Sequence, residues 1–142
     1  MKPAKLAAER IAAIRDNFGA QTLMQTFGAE LREVTPGHVE ITAPILPGSL
    51  QQHGFAHAGL TFSVGDSAAG YAALTLMPEG ADVLTAEMKI NLLAPASGER
   101  LIATGRVIKP GRRLFVVGAE VAVEKDGTLT PVALLQGTMV PT

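Results

Sequence analysis

Within "QQHGFAHAGLTFSVGDSAAGYAALTLM" (residues 51–77) there is one acidic residue, Asp66, set among small and apolar neighbours. Ser63, Asp66, Ser67 and Gly70 are spaced i, i+3, i+4, i+7, so on a helix they share one face. Phe62, Val64, Ala69, Ala73, Leu74 and Leu76 fall mostly elsewhere. The segment therefore carries a narrow stripe of small polar residues around one carboxylate, with room beside it for a ligand or water. A purely structural acid, hydrogen-bonded to a loop, is the competing reading. But Asp66 lies about two turns inside the segment, too deep to cap it. An unpaired buried charge is costly, and groups of that kind concentrate where protons or charges are handled.

Two histidines stand just upstream. His53 and His57 are four apart, a spacing that suggests zinc, but Gly54 occupies the place where the HExxH pattern needs Glu. No metal is expected, and the histidines read as loop-ordering or pocket-lining groups. "GxSxG" does not occur, so a serine nucleophile elbow is excluded. Gly54, Gly59 and Gly65 match no phosphate-binding loop.

Composition narrows the rest. The chain has 142 residues, 47% apolar and 18% charged, with a net charge of -1. That suits a single folded domain over residues 1–142. With no long basic run, broad nucleic-acid binding and polybasic membrane attachment are not expected. Aromatics are only 4%, too few for a base-stacking platform. Absence of cysteine removes thiolate metal sites and cysteine nucleophiles and fits a cytoplasmic location. Residues 60–77 are long enough to span a bilayer. Asp66 would cost about 2.5–3.5 kcal/mol at mid-membrane, so a buried helix of a soluble domain is expected instead.

The elements that must position Asp66 follow from periodicity. Residues 3–17 read as a helix with Leu6, Ile11 and Ile14 on one face (the N-terminal helix is bounded as 1–18), and Arg10 and Glu9 make it amphipathic rather than a signal peptide. "FGAELREVTPGHVEITAPIL" reads as a hairpin in which Val39, Ile41, Ala43 and Ile45 alternate about a "TPGH" turn. "PGSLQQHGF" is a loop, and residues 58–77 form the long helix, ended by "PEG". In "VLTAEMKINLL", Leu84, Ala86, Met88, Ile90 and Leu92 share one face, with Thr85, Glu87, Lys89 and Asn91 on the other. "RLIATGRVIK", "RLFVVGAEVAVE" and "PVALLQGTMV" complete a four-stranded meander. An antiparallel sheet with a helix in its concave side is an α+β layer architecture, and its open edges predict a dimer.

Gln51, Gly54, His57-Ala58-Gly59 and Asp66 together resemble the motif of the hotdog-fold acyl-CoA thioesterases of the PaaI-like type. That family carries Asn or Gln, Gly three residues on, His-Gly-Gly, then Asp nine residues after the His. A Ser or Thr opening the next strand, with Pro ten residues later, corresponds to Thr85 and Pro95. "VIKPGRR" matches the family's basic turn. The resemblance covers roughly residues 30–140. Gln51 stands where many members have Asn, and Ala58 replaces the first glycine, leaving its backbone N–H available but adding a methyl.

The resemblance implies an α+β hotdog fold, a sheet wrapped around a long central helix, with an extra N-terminal helix. It implies hydrolysis of acyl-CoA thioesters with Asp66 as general base or nucleophile, Thr85 holding water, the Ala58 N–H polarising the carbonyl, and Gln51 binding the same region. His57, Gly59 and Ser67 would contact substrate, and Lys109, Arg112 and Arg113 would meet the coenzyme A phosphates. No cofactor is implied beyond the coenzyme A of the substrate. Homodimers or homotetramers, with active sites across the dimer seam, are implied as well. Pocket depth would depend on residues such as Phe62, Tyr71 and Leu74. Two other readings share the fold: an acyl dehydratase or hydratase built on His57, and a non-enzymatic acyl-CoA-binding module.

Overall fold

A computed structural model describes residues 5–142. Helix α1 spans Ala8–Gly19 and a short α2 spans Thr22–Phe27. Strands β1 (Glu30–Thr35) and β2 (His38–Pro44) form a hairpin, and the long helix α3 runs Ala58–Leu74. Strands β3 (Val83–Leu92), β4 (Arg100–Lys109), β5 (Phe115–Lys125) and β6 (Thr128–Pro141) follow. All six strands make one antiparallel sheet in the order β1-β2-β4-β5-β6-β3. The long helix packs on one face of it, against β2, β3, β4, β5 and β6. This is the α+β hotdog arrangement.

The helix forms in spite of its composition. Gly59, Gly65 and Gly70 are poor helix residues, but burial outweighs propensity. Eleven of the 17 residues of α3 are buried, which makes it a core helix covered nearly all round. Its small residues let backbones approach. At Gly105 of β4, a methyl would overlap the Ala68 carbonyl of α3, so only glycine permits that contact. Around the helix, Val39, Ile41 and Ala43 are fully buried on the inner face, as the alternation of β2 predicts, and Leu101, Ala103, Val117 and Ala119 join them from β4 and β5.

Four expectations are corrected. The first helix begins at Ala8, not at residue 3; residues 1–4, which the expected 1–18 helix included, lie outside the described residues. The short α2 was not anticipated; Gly28, in the left-handed region at φ 67°, closes it. The last four strands are not a meander. Only β4, β5 and β6 are consecutive neighbours, while β3 pairs with β6 and β4 pairs with β2. Residues 93–99 between β3 and β4 are too long for a tight hairpin turn. They carry the chain across the sheet, leaving β3 as an edge strand beside the helix face that bears Asp66.

A fourth correction concerns β3 itself. The register shifts between Thr85 and Glu87, a bulge that leaves Ala86 as an extra residue. Thr85 stands opposite the buried Met139, and Ile90 opposite the buried Leu135, so both face the helix. Strict alternation had put Thr85 on the face opposite Met88 and Ile90. It had also put Leu84 on the inner face, where the structure leaves Leu84 exposed. Gly137, across from Met88, makes room for the bulge: a side chain there would overlap the Glu87 carbonyl.

Candidate active site

The bulge brings Thr85 to Asp66. The Thr85 hydroxyl donates to Asp66 Oδ1 at 2.8 Å. Asp66 is half-buried and forms no ion pair among the described residues. Burial therefore raises its pKa above the ordinary value of 3.8, with the Thr85 hydrogen bond pulling the other way. A cavity of about 390 Å³ opens beside the pair and is lined also by Ser67, Gly70, Tyr71 and Met139. The polar stripe thus faces a cavity, as its spacing suggests. Ser63 is the exception: its hydroxyl bonds back to the Gly59 carbonyl at 2.7 Å.

A second cavity, of about 570 Å³, lies at the N-terminus of α3 and is lined by Gln51, His57, Ala58, Leu92, Leu93 and Pro95. His57 caps the helix, its Nδ1 accepting the Gly59 N–H at 2.7 Å. That engages Nδ1 and occupies the Gly59 amide. The N–H groups of Leu60 and Thr61 bond to the His57 carbonyl. Among the described residues the Ala58 N–H has no acceptor, so one free donor stands at the positive end of a 17-residue helix. Gln51 Oε1 accepts from the His53 and Phe55 amides. Within that amide only the oxygen accepts, so the Gln51 NH₂ is the end left free to donate.

The structure therefore joins Asp66, Thr85 and Ser67 in one cavity, and Gln51, His57 and Ala58 in another. Gly59 sits beside the cap. Lys109 ends β4, Arg112 and Arg113 lie on the exposed β4–β5 turn, and none of the three lines either cavity. Eight residues of helix separate Ala58 from Asp66, a rise of about 12 Å. Of the three residues expected to set pocket depth, Tyr71 lines the cavity beside Asp66, while Phe62 and Leu74 do not.

Sequence reasoning missed Asn17, Gln21 and Asp82, which wall the same cavity from α1, from the α1–α2 link and from the residue before β3. The Tyr71 hydroxyl donates to Asn17 Oδ1 at 2.8 Å and accepts from Gln21 Nε2 at 2.8 Å. Burial pushes that hydroxyl's pKa up to about 12; the Gln21 bond opposes this and the Asp82 charge adds to it. The one sequence cue was the amphipathic first helix, which needs a face to dock on.

Comparison with known proteins follows the same lines. The model of the family described as the thioesterase superfamily matches residues 53–130. A thioesterase family protein from Silicibacter pomeroyi is 43% identical, with a TM-score of 0.91 over 93% of this chain and 97% of that one. The PaaI protein of the Escherichia coli phenylacetic acid degradation operon is 22% identical, with a TM-score of 0.85 and 96% of each chain covered. A protein from Bacillus halodurans, solved with CoA, is 23% identical, with a TM-score of 0.76 over 94% of this chain and 84% of that one.

Proposed function

The chain belongs to the thioesterase superfamily, and from that premise we propose that it hydrolyses acyl-CoA thioesters to the free acid and CoA. The observation that carries this reading is the half-buried Asp66 carboxylate, held by Thr85 and open to a cavity. With its one hydrogen given to Asp66 Oδ1, Thr85 fixes the plane of the carboxylate and keeps lone pairs to receive a water hydrogen. Asp66 Oδ2 takes the water's other proton as general base. The water oxygen bonds to the thioester carbon, the C–S bond breaks, and the leaving thiolate recovers the proton from Asp66.

The developing oxyanion needs a donor about 3 Å away. The Ala58 N–H suits this role by its freedom and its place at the helix start, and the Gln51 NH₂ supports it. But Ala58 and Asp66 of one chain are separated by about 12 Å of helix. Both reach one carbonyl only if a second copy supplies one of them. We therefore place the site across a two-fold seam along the open edge of β3, with Asp66, Thr85 and Ser67 from one subunit and Gln51 and the Ala58 amide from the other. His57 and Gly59 hold the first turn that presents the Ala58 amide. Lys109, Arg112 and Arg113 suit the CoA phosphates. Against a dehydratase stands His57, whose Nδ1 is engaged as a cap.

Asp66→Asn tests the reading. The amide keeps the shape but takes no proton. Thiol release from an acyl-CoA panel should fall about 100-fold or more, with the fold retained. Activity within threefold of the parent protein would overturn the assignment.

A further inference from the structure

The cavity beside Asp66 has a wall of unusual chemistry. Asn17, Gln21 and Tyr71 are locked together by the two 2.8 Å bonds through the Tyr71 hydroxyl. Ser67 donates to Gln21 Oε1 at 3.4 Å, and Asn17 Nδ2 donates to Asp82 Oδ1 at 3.4 Å. Asp82 Oδ1 also receives the Val83 N–H at 2.8 Å, which leaves Oδ2 as an unused acceptor. Among the described residues lining this cavity, none is Lys, Arg or His, and the two charged groups are the carboxylates of Asp66 and Asp82. The wall is thus polar and fixed, and its charge is of one sign.

We propose that Asn17, Gln21 and Asp82 determine acyl specificity, and that they select a short, uncharged acyl group with a hydroxyl at its far end. The inference rests on the thioesterase reading and places the acyl group in the cavity beside its base. A hydroxyl both donates and accepts, so it meets the Asp82 acceptor and the amide wall together. An alkyl end satisfies neither and leaves these groups stripped of water. A distal carboxylate meets two like charges, and no cation of the same subunit lines the cavity to offset them. Size sets an upper bound on length: a cavity of about 150 Å³ holds the six carbons of benzene, so about 390 Å³ admits a six-carbon chain and the attacking water with room to spare.

The test compares kcat/KM for acetyl-, hexanoyl-, 6-hydroxyhexanoyl- and adipyl-CoA. The three longer substrates share a six-carbon chain and differ only at its far end. The 6-hydroxyhexanoyl ester should exceed the hexanoyl ester by about tenfold, and the adipyl ester should fall about 100-fold below it. Asp82→Asn keeps the oxygen that receives the Val83 N–H and removes the charge. It should narrow the adipyl-to-hexanoyl gap, read as a ratio within the variant, by about tenfold. Hexanoyl turnover with equal or reversed order among the three esters overturns the specificity proposal and leaves the thioesterase reading standing. An unchanged gap in Asp82→Asn removes Asp82 from it. Should that variant not fold, the order in the parent protein still decides. Turnover of none of the four esters overturns this inference, and turnover of none of a wider panel with aryl- and long-chain acyl-CoAs overturns the thioesterase reading as well.

Discussion

Asp66 sits where charge and burial oppose each other, and that conflict has a measurable sign. Burial raises its folded-state pKa above 3.8, and Thr85 only partly offsets this. The folded protein therefore holds the Asp66 proton more tightly than the unfolded chain does. Between the ordinary value and the raised one, the folded state binds more protons, so stability falls as pH rises through that window. Above it the cost of burying the charge is felt in full. Asp66→Asn removes that cost. The variant should melt above the parent protein at about pH 8, and the difference should shrink toward about pH 4. Thermal melts of both proteins across that range check it. Coincident melts at every pH would mean that the carboxylate bears no burial cost, and its fitness as a base near neutrality would lose its physical support. At this scale the sequence was informative: one acid amid small residues at i, i+3, i+4 and i+7 marked the carboxylate and the cavity beside it.

At the scale of elements, the site depends on how closely α3 approaches the sheet. Gly105 allows β4 to touch the helix backbone at Ala68, one turn or less from Asp66. Gly105→Ala forces a methyl into a carbonyl, a backbone clash that no rotamer change relieves. It should cost about 3 kcal/mol, at the upper end for overpacking, and lower Tm by about 10 °C. Gly19→Ala, at the end of α1 with nothing within 4 Å of the added methyl, is the matched control and should be neutral or slightly stabilising. Calorimetry on the pair checks it, and similar melting of the two would refute the close-packing argument. Periodicity recovered the hairpin, the long helix and the inner face of β2, because that strand alternates without interruption. It failed at β3, since one extra residue reverses the parity of everything before it and Ala86 carries no chemical mark of a bulge. Thr85 was reached by family resemblance, against its apparent face. The strand order was hidden because each strand's pattern says which face is buried and nothing about which neighbour it pairs with. Asn17, Gln21 and Asp82 were invisible for a similar reason: separations such as the 65 residues from Asn17 to Asp82 are set by helix docking.

For the whole molecule, the proposal requires that half of each site come from another copy, and that can be tested with two inactive proteins. Asp66→Asn removes the base. For the other half, Gln51→Glu is the suitable lesion: a carboxylate can still accept from the His53 and Phe55 amides, so the loop is preserved, while the NH₂ donor is lost. Each variant alone should be nearly inactive, and a Gln51→Glu protein of normal activity would remove Gln51 from the site. The two are then unfolded together, mixed in equal amounts and refolded. In a mixed dimer, one site combines both lesions and the other has an intact Asp66 facing an intact Gln51. Random pairing makes about half the dimers mixed, each with one working site of two, so about a quarter of the parent activity should return. If each site lay within a single subunit, mixing would restore nothing, because every subunit carries one lesion of its own. A refolded mixture no more active than its components, with mixed dimers demonstrated by mass or by differential tagging, would therefore sink the shared site. It would also leave unexplained how an amide and a carboxylate about 12 Å apart along one helix could act on the same carbonyl.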